Sequence, residues 1–395
     1  MEKLFVFQGG GPTAVINATL SGLLDAAQPR FSSVFGLRHS LEQVATTPLI
    51  NLTDLTAPSA ADDRARLART PGALLGSSRT KVTEAHLSTV LDVMQAEGAR
   101  HILGIGGNGT MHALNQLAEF AASRSVDLNI VGAPKTVDND LPGAAFAPGY
   151  GSAARFVALA TRDFDFDFRA MQTFDDVTIL ETMGRDTGWL AAASVLLKEA
   201  DADAPHIVLI PERPVDEAAL LKRVSELHRD LGRVFIVTNE VLTAPDGTVL
   251  GQNVQDGPTD SLGRTMYSLS TGTGNYLAQR IWKQLGLQAR CLRPGSLGRA
   301  LTSCVSEVDF ELALRAGRAT TDLFDRPEDG AKMLTIAQDL HLGWQPAKEG
   351  IGRTPLPKAF FDQDDEFAIG LNFATMARSI IGEVSPLFHG IRTDS

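Results

Sequence analysis

Short apolar runs alternate with longer Ala- and Leu-rich stretches along the first part of the chain, and turn residues separate them. Leu4–Phe7 reads as a strand, followed by Gly9-Gly10-Gly11 and a helical stretch over Ala14–Ala26. His101–Ile105 repeats the arrangement, with Gly106-Gly107-Asn108-Gly109 leading into a helix over Thr110–Ala122. Asn129–Val131 runs into Pro134, and Val177–Leu180, His206–Ile210 and Arg233–Val237 are further short strands. These runs are apolar throughout rather than alternating, as expected for strands covered on both faces. Strand, glycine turn, helix is the rhythm of an α/β fold with a mostly parallel sheet. Ala244–Asp260, rich in Gly, Pro, Asp and Asn, predicts a surface excursion with a hairpin at Asp246-Gly247. Gly343–Pro357 breaks the chain before a final helix-bearing tail.

Composition narrows the class. A chain of 395 residues with 44% hydrophobic and 21% charged residues is globular. Its 36 Lys+Arg against 47 Asp+Glu give a net charge of −11, which disfavours a nucleic-acid-binding face but leaves room for a local anion pocket. Two cysteines, Cys291 and Cys304, exclude a disulfide framework or a Cys-rich zinc site. The run at Leu4–Phe7 is too short for a signal-peptide core. No stretch of about 18 apolar residues is present. The expectation is a soluble cytoplasmic protein with small-molecule partners, without a membrane or nucleic acid.

Candidate chemistry sits in the glycine loops and one carboxylate segment. Gly9–Gly11 and Gly106–Thr110 each join a strand to a helix, so each is either a tight βα turn or a phosphate cradle at a helix N-terminus. Neither matches the P-loop or the Rossmann fingerprint. Arg79, in Leu75-Gly76-Ser77-Ser78-Arg79, is either a phosphate clamp or a surface arginine near an N-cap. Pro134-Lys135-Thr136-Val137-Asp138-Asn139-Asp140 brings together a cation, a hydroxyl and carboxylates. On an extended chain Asp138 and Asp140 point to one side. One can accept the proton of an attacking hydroxyl while the other holds Mg²⁺. The competing reading is a polar turn.

Together these segments resemble a known family. GGGPTAVIN (Gly9–Asn17), GGNGT (Gly106–Thr110), PKTVDND (Pro134–Asp140), PGYGSAAR (Pro148–Arg155), MGR (Met183–Arg185) and PERP (Pro211–Pro214) follow the order seen in phosphofructokinases. They are most similar to the bacterial pyrophosphate-dependent branch, from the N-terminus to about Arg318. The resemblance implies two Rossmann-like α/β lobes with the active site between them. It implies a donor lobe of residues 1–145 plus about 290–312, and a sugar lobe of 146–289 plus about 313–395. The implied reaction is phosphoryl transfer to the C1 hydroxyl of a ketohexose derivative, with Mg²⁺. Asp138 would be the general base, and Thr136 and Asp140 would line the reacting centre. Arg185 would neutralise transition-state charge. Met183, Gly184 and Glu240 would contact the sugar. Gly10, Gly11, Arg79, Gly107, Asn108, Gly109, Thr110 and Lys135 would surround the donor, and Asn108 and Asp140 would hold the metal. Arg299 would hold the C6 substituent, with Arg290 contributed across a subunit interface of a homodimer or homotetramer.

The chain departs from the family at both substrates. Pyrophosphate users usually carry Asp where Gly109 stands and ATP users carry Gly, whereas Lys135 is typical of pyrophosphate users. Asn108 replaces the Asp common in GGD loops, which reads as a weaker metal ligand. In Arg293-Pro294-Gly295-Ser296-Leu297-Gly298-Arg299, Ser296 stands for a Tyr or His and Gly298 for a Gln. A further phosphate-binding arginine of ATP users aligns with Asp176, and a carboxylate there would repel a dianion. This suggests a singly charged sulfonate at C6, as in 6-deoxy-6-sulfofructose, beside the alternative of fructose 6-phosphate. An NAD or lipid kinase would lack TVDND and MGR, and a non-catalytic sugar-binding subunit would have lost Asp138 or Arg185.

Overall fold

The computed structural model describes residues 2–171, 173–251, 272–326 and 330–387. Its strands are β1 (Glu2–Gln8), β2 (Phe31–Gly36), β3 (Ile50–Asn51), β4 (His101–Gly106), β5 (Asn129–Pro134), β6 (Val177–Thr182), β7 (Ile207–Leu209), β8 (Val234–Asn239), β9 (Ala289–Leu292), β10 (Ala331–Ile336) and β11 (Leu342–Pro346). Its helices are α1 (Ile16–Ala26), α2 (Ala61–Arg69), α3 (Glu84–Ala96), α4 (Asn108–Ser123), α5 (Tyr150–Ala170), α6 (Trp189–Ala192), α7 (Glu217–Leu231), α8 (Thr273–Leu285), α9 (Leu297–Ala300), α10 (Glu307–Leu323) and α11 (Leu371–Ala377).

The strands form two sheets. One is seven-stranded, in the order β11-β10-β5-β4-β1-β2-β3, with parallel pairing from β10 through β2 and an antiparallel strand at each edge. The other is four-stranded and parallel, in the order β7-β8-β6-β9. The apolar runs explain this: every residue of β4, β6 and β8 is buried, because helices cover both faces.

The chain divides between the sheets differently from the expected partition. β9 joins the small sheet, whereas β10 and β11 extend the large one. Helix α10 also lies with the large sheet: a Cβ on Gly317 would stand 2.0 Å from the Thr19 carbonyl oxygen and one on Gly22 2.1 Å from that of Leu314. Only glycine permits that backbone approach between α1 and α10. The expected break at Gly343–Pro357 contains the end of β11, followed by a short 3-10 turn at Ala347–Gly350. The hairpin at Asp246-Gly247 is present, with Thr243 and Val249 bridged antiparallel; residues 252–260 of that excursion lie outside the described ones.

The PGYGSAAR motif turns out to be an internal cap. Asp309 of α10 is fully buried and accepts from Gly149 N, Ser152 N (both 2.9 Å) and Ser152 Oγ (2.6 Å) at the start of α5. Burial raises its pKa against those hydrogen bonds. The free N–H groups of this helix therefore serve a carboxylate of the chain itself. Among the described residues no helix is long and apolar enough to cross a membrane.

Candidate active site

Parallel strands deliver their C-terminal ends to one edge, where the crevices of α/β sheets bind ligands. β1, β4 and β5 are in register neighbours, so Gly9–Gly11, Gly107–Thr110 and Lys135–Asp140 emerge side by side. β6 and β8 of the small sheet likewise deliver Met183–Arg185 and Glu240. The two edges face each other across a single cleft with an empty volume of about 1120 Å³. Gly10, Gly11, Arg79, Gly107, Asn108, Gly109, Thr110, Lys135, Thr136, Asp138, Asp140, Met183, Arg185, Glu240 and Arg299 all line it.

The donor end is built from backbone and cations. Gly10 has φ +75°, and its neighbour Gly11 leaves space that a side chain would lose: a Cβ there would lie 2.5 Å from Arg299 Nη1 and 3.2 Å from Arg79 Nη2. α4 starts at Asn108, and its first internal hydrogen bonds are donated by Thr110 and Met111 to Gly107 O. Its N-terminal dipole end thus meets the cleft. Lys135 is only 2% exposed and its Nζ donates to Gly11 O at 2.7 Å. Burial pushes its pKa down to about 7; Arg299 and Arg79 push the same way, and Asp138 and Asp140 oppose them. Arg299 is itself weakened as an acceptor of a proton by burial and by Arg79, while Asp138 and Glu240 favour its charge. It therefore stands between the two ends of the cleft, closer to the donor loop than the resemblance implied.

The reacting end is held by a turn, not by an extended chain. Asn139 takes φ +53°, and its side chain donates to Ala145 O and accepts from Ala147 N (both 2.9 Å). Asp138 and Asp140 both line the cleft, but through that turn rather than through strand alternation. Asp138 N donates to Thr136 Oγ1 (3.1 Å), and Thr187 Oγ1 donates to Asp138 O (3.1 Å). Asp140 accepts from Asn108 Nδ2 (2.9 Å) and from Thr136 Oγ1 (3.4 Å). Opposite, Arg185 has φ +46°, unusual for a residue with a side chain, and its N–H donates to Glu240 Oε1 (3.1 Å). Such strain costs on the order of 1–3 kcal/mol and clusters at functional sites. Burial raises the pKa of Glu240 against the pull of Arg185.

A profile described as phosphofructokinase matches residues 3–324. The chain belongs to the phosphofructokinase family. It is a phosphofructokinase-type phosphotransferase, and most of the residues that the resemblance singled out line this cleft. A pyrophosphate–fructose 6-phosphate 1-phosphotransferase of Xanthomonas campestris pv. campestris is 34% identical over 323 residues, 80% of this chain and 75% of that one. A sulfofructose kinase of Alkalicoccus urumqiensis is 32% identical over 330 residues, 83% and 82% of the two chains. A crystal structure of a pyrophosphate-dependent phosphofructokinase from Marinobacter aquaeolei superposes with a TM-score of 0.82 at 26% identity, over 98% of this chain and 94% of that one.

Some phosphofructokinase site residues expected from sequence stand elsewhere. Asp176 precedes β6 at the end opposite Met183 and accepts from His228 Nε2 (2.9 Å) and Gln288 N (2.8 Å). It ties strand starts together, so its carboxylate gives no repulsion within this chain's cleft. Arg290, on β9, pairs with Asp175 at 2.8 Å, also outside the cleft of its own chain. Among the described residues Ser296 meets the cleft through Arg299, whose Nη2 donates to Ser296 Oγ at 3.4 Å. Gly184 shapes the loop with φ +132°. Gly298 is packed: a Cβ there would lie 3.2 Å from the Phe156 ring, so the family's glutamine has no room without moving Phe156.

Sequence reasoning missed part of the wall. Ser40, Ser78, Thr80, Lys81, His112 and Gln116 extend the donor end. His112 and Gln116 lie four and eight residues after Asn108 on one face of α4, a spacing that was readable. The contact of the C-terminal segment with Asn108 and Asp140 had no local signal.

Proposed function

We propose that this chain transfers a phosphoryl group from pyrophosphate to the C1 hydroxyl of a fructose bearing an anionic C6 substituent. One observation carries the reading: a single cleft joins Lys135, Arg79 and the α4 N-terminus at one end to Asp138, Arg185 and Glu240 at the other. Phosphoryl transfer is mostly positioning plus charge neutralisation, and this set supplies both. Asp138 takes the proton of the C1 hydroxyl as that oxygen attacks the terminal phosphorus in line. The new C1–O–P bond forms as the bridging P–O bond breaks, and phosphate leaves against Lys135 and Arg79. Arg185 faces the transferring group, and Glu240 holds sugar hydroxyls while fixing the Arg185 backbone.

Mg²⁺ suits this chemistry. Among the described residues no cluster of three His, Cys, Asp or Glu side chains forms a cage. At phosphoryl-transfer sites Mg²⁺ is held mainly by phosphate oxygens and water with one or two carboxylates. Asp140 would hold it, as a carboxylate lining the cleft beside the base Asp138. Asn108 turns its amino group to Asp140, and its amide oxygen already accepts from Gly352 N (3.2 Å). The ion would neutralise donor charge when bound.

A second donor reading has its own support. Gly109 carries no side chain, and the groove continues along α4 to Gln116, which leaves length for ATP. At C6, the loss of the Asp176 argument leaves Ser296 and the packed Gly298 as the marks of an altered pocket, compatible with phosphate or sulfonate. Steady-state kinetics with pyrophosphate, ATP and ADP against fructose 6-phosphate and 6-deoxy-6-sulfofructose separate these. Turnover with pyrophosphate is expected. Turnover with ATP alone would end the donor reading, and a kcat/KM for fructose 6-phosphate at or above that of the sulfosugar would end the sulfonate option.

The reading extends to a homodimer or homotetramer. Among the described residues β9 pairs only with β6, and Phe174 (59% exposed) and Trp282 (60% exposed) leave large apolar surface near that edge. Arg290 on the same edge pairs with Asp175 and stands over the Phe174 ring, 5.8 Å from its centroid. Sedimentation velocity at micromolar protein should give a dimer or larger, and Trp282→Glu should dissociate it. A monomeric wild type would remove the role assigned to Arg290.

A further inference from the structure

Residues 350–356 cross from one lobe to the other, bonded to the loops that carry the reacting groups. On the donor side, Gly352 N donates to Asn108 Oδ1 (3.2 Å) and Thr354 N donates to Asp140 O (2.8 Å). On the sugar side, Arg353 Nη1 pairs with Asp186 Oδ2 (2.7 Å), next to Arg185. Trp189 Nε1 donates to Thr354 O (3.1 Å). Leu356 N donates to Glu212 Oε1 (2.7 Å), which also accepts from Gly188 N (3.0 Å). The strap therefore bonds the loop of Asp138 and Asp140 to the loop of Arg185. It lies beyond the residues that the family profile matches.

The Asn108 amide joins this strap to the site. Its orientation is fixed by its partners. The Gly352 N–H can only donate and an ionised Asp140 can only accept, so the oxygen must face the strap and the amino group the carboxylate. An aspartate at this position, as in GGD loops, has no proton to give and would set a carboxylate against a carboxylate.

We propose that Asn108 and the strap residues Gly352–Thr354 form a positioning relay that orients the Asp140 carboxylate and sets the spacing between the Asp138 and Arg185 loops. Asn108 is then the partner of the strap rather than a weakened metal ligand. The catalytic consequence rests on the phosphoryl-transfer reading; the relay itself does not.

The test uses Asn108→Asp, Arg353→Ala and Arg353→Lys in the full chain. In ligand-free protein, hydrogen–deuterium exchange over residues 136–142 should quicken about fivefold or more in Asn108→Asp and Arg353→Ala, as expected for loss of local protection, and Arg353→Lys should restore slow exchange. With the best substrate pair, both disruptive substitutions should lower kcat about tenfold at unchanged sugar KM, the signature of misplaced catalytic groups. The Mg²⁺ concentration for half-maximal rate should not fall in Asn108→Asp. Preserved kcat with a lower Mg²⁺ requirement in that variant makes the position a metal-ligand site and overturns the relay, as does unchanged exchange in both variants. Because exchange is read without substrates, failure of the assigned reaction leaves the relay separately testable.

Discussion

Asp138→Ala should lower kcat by about 10²–10⁴ with KM values for both substrates changed only a few-fold, the effect of removing a positioned general base. The structure explains why shape should survive the change. Asp138 is half-buried, and its place is set by backbone groups: its N–H on Thr136 Oγ1 and its carbonyl under Thr187 Oγ1. The Asn139 turn is pinned to Ala145 and Ala147 independently of the carboxylate. Asp138→Asn should lose nearly as much activity, because it keeps the shape and removes the proton acceptor. The assay is best run below pH 7. Asp138 is one of the carboxylates that favour the Lys135 ammonium, so above that pH the donor KM of the variant should drift upward. Near-normal turnover in both variants would sink the base assignment.

How much of this was legible depends on whether the signal is local. The glycine loops, PKTVDND and MGR are contiguous segments at strand ends, and parallel register brings them together without further information. Asp176 shows where alignment by motif goes astray. It lies seven residues before Met183 with all of β6 between them, and at about 3.3 Å per residue that is roughly 20 Å along a strand. It therefore stands at the opposite end of the sheet, next to His228. The sequence leaves the Asn139 segment open between an extended chain and a polar turn, and the structure decides for the turn; the alternation rule behind the extended alternative does not see an asparagine in the left-handed region. The Asn108–Gly352 contact spans 244 positions, so no spacing argument could reach it. The membership of β10 and β11 in the large sheet had the same cause: a late strand can join an early one, and only pairing decides which.

Replacing Lys135 with methionine should make the protein more stable and a much poorer enzyme. Lys135 is enclosed beside two guanidiniums, with one hydrogen bond to Gly11 O, and its pKa falls from the ordinary 10.5 to about 7. Between these values the unfolded chain holds the proton and the folded chain does not, so this residue makes stability rise with pH from about 7 to 10.5. Below pH 7 both states are charged and the penalty is fully present. At 1.36 kcal/mol per factor of ten in proton affinity, it is about 5 kcal/mol. Lys135→Met should therefore raise the thermal midpoint most at pH 6, with the gain shrinking toward pH 10. The same charge is what an anionic donor needs. The variant should lose about 10²–10³ in kcat/KM for the donor, the scale seen when one preorganised donor to developing charge is removed. In the wild type, donor binding should restore the ammonium, so calorimetric titration with pyrophosphate at pH 8 in two buffers of different ionisation enthalpy should register proton uptake. That uptake should vanish in Lys135→Met. A variant less stable than wild type at pH 6, with an unchanged donor KM, would show that the ammonium serves the fold and not the donor.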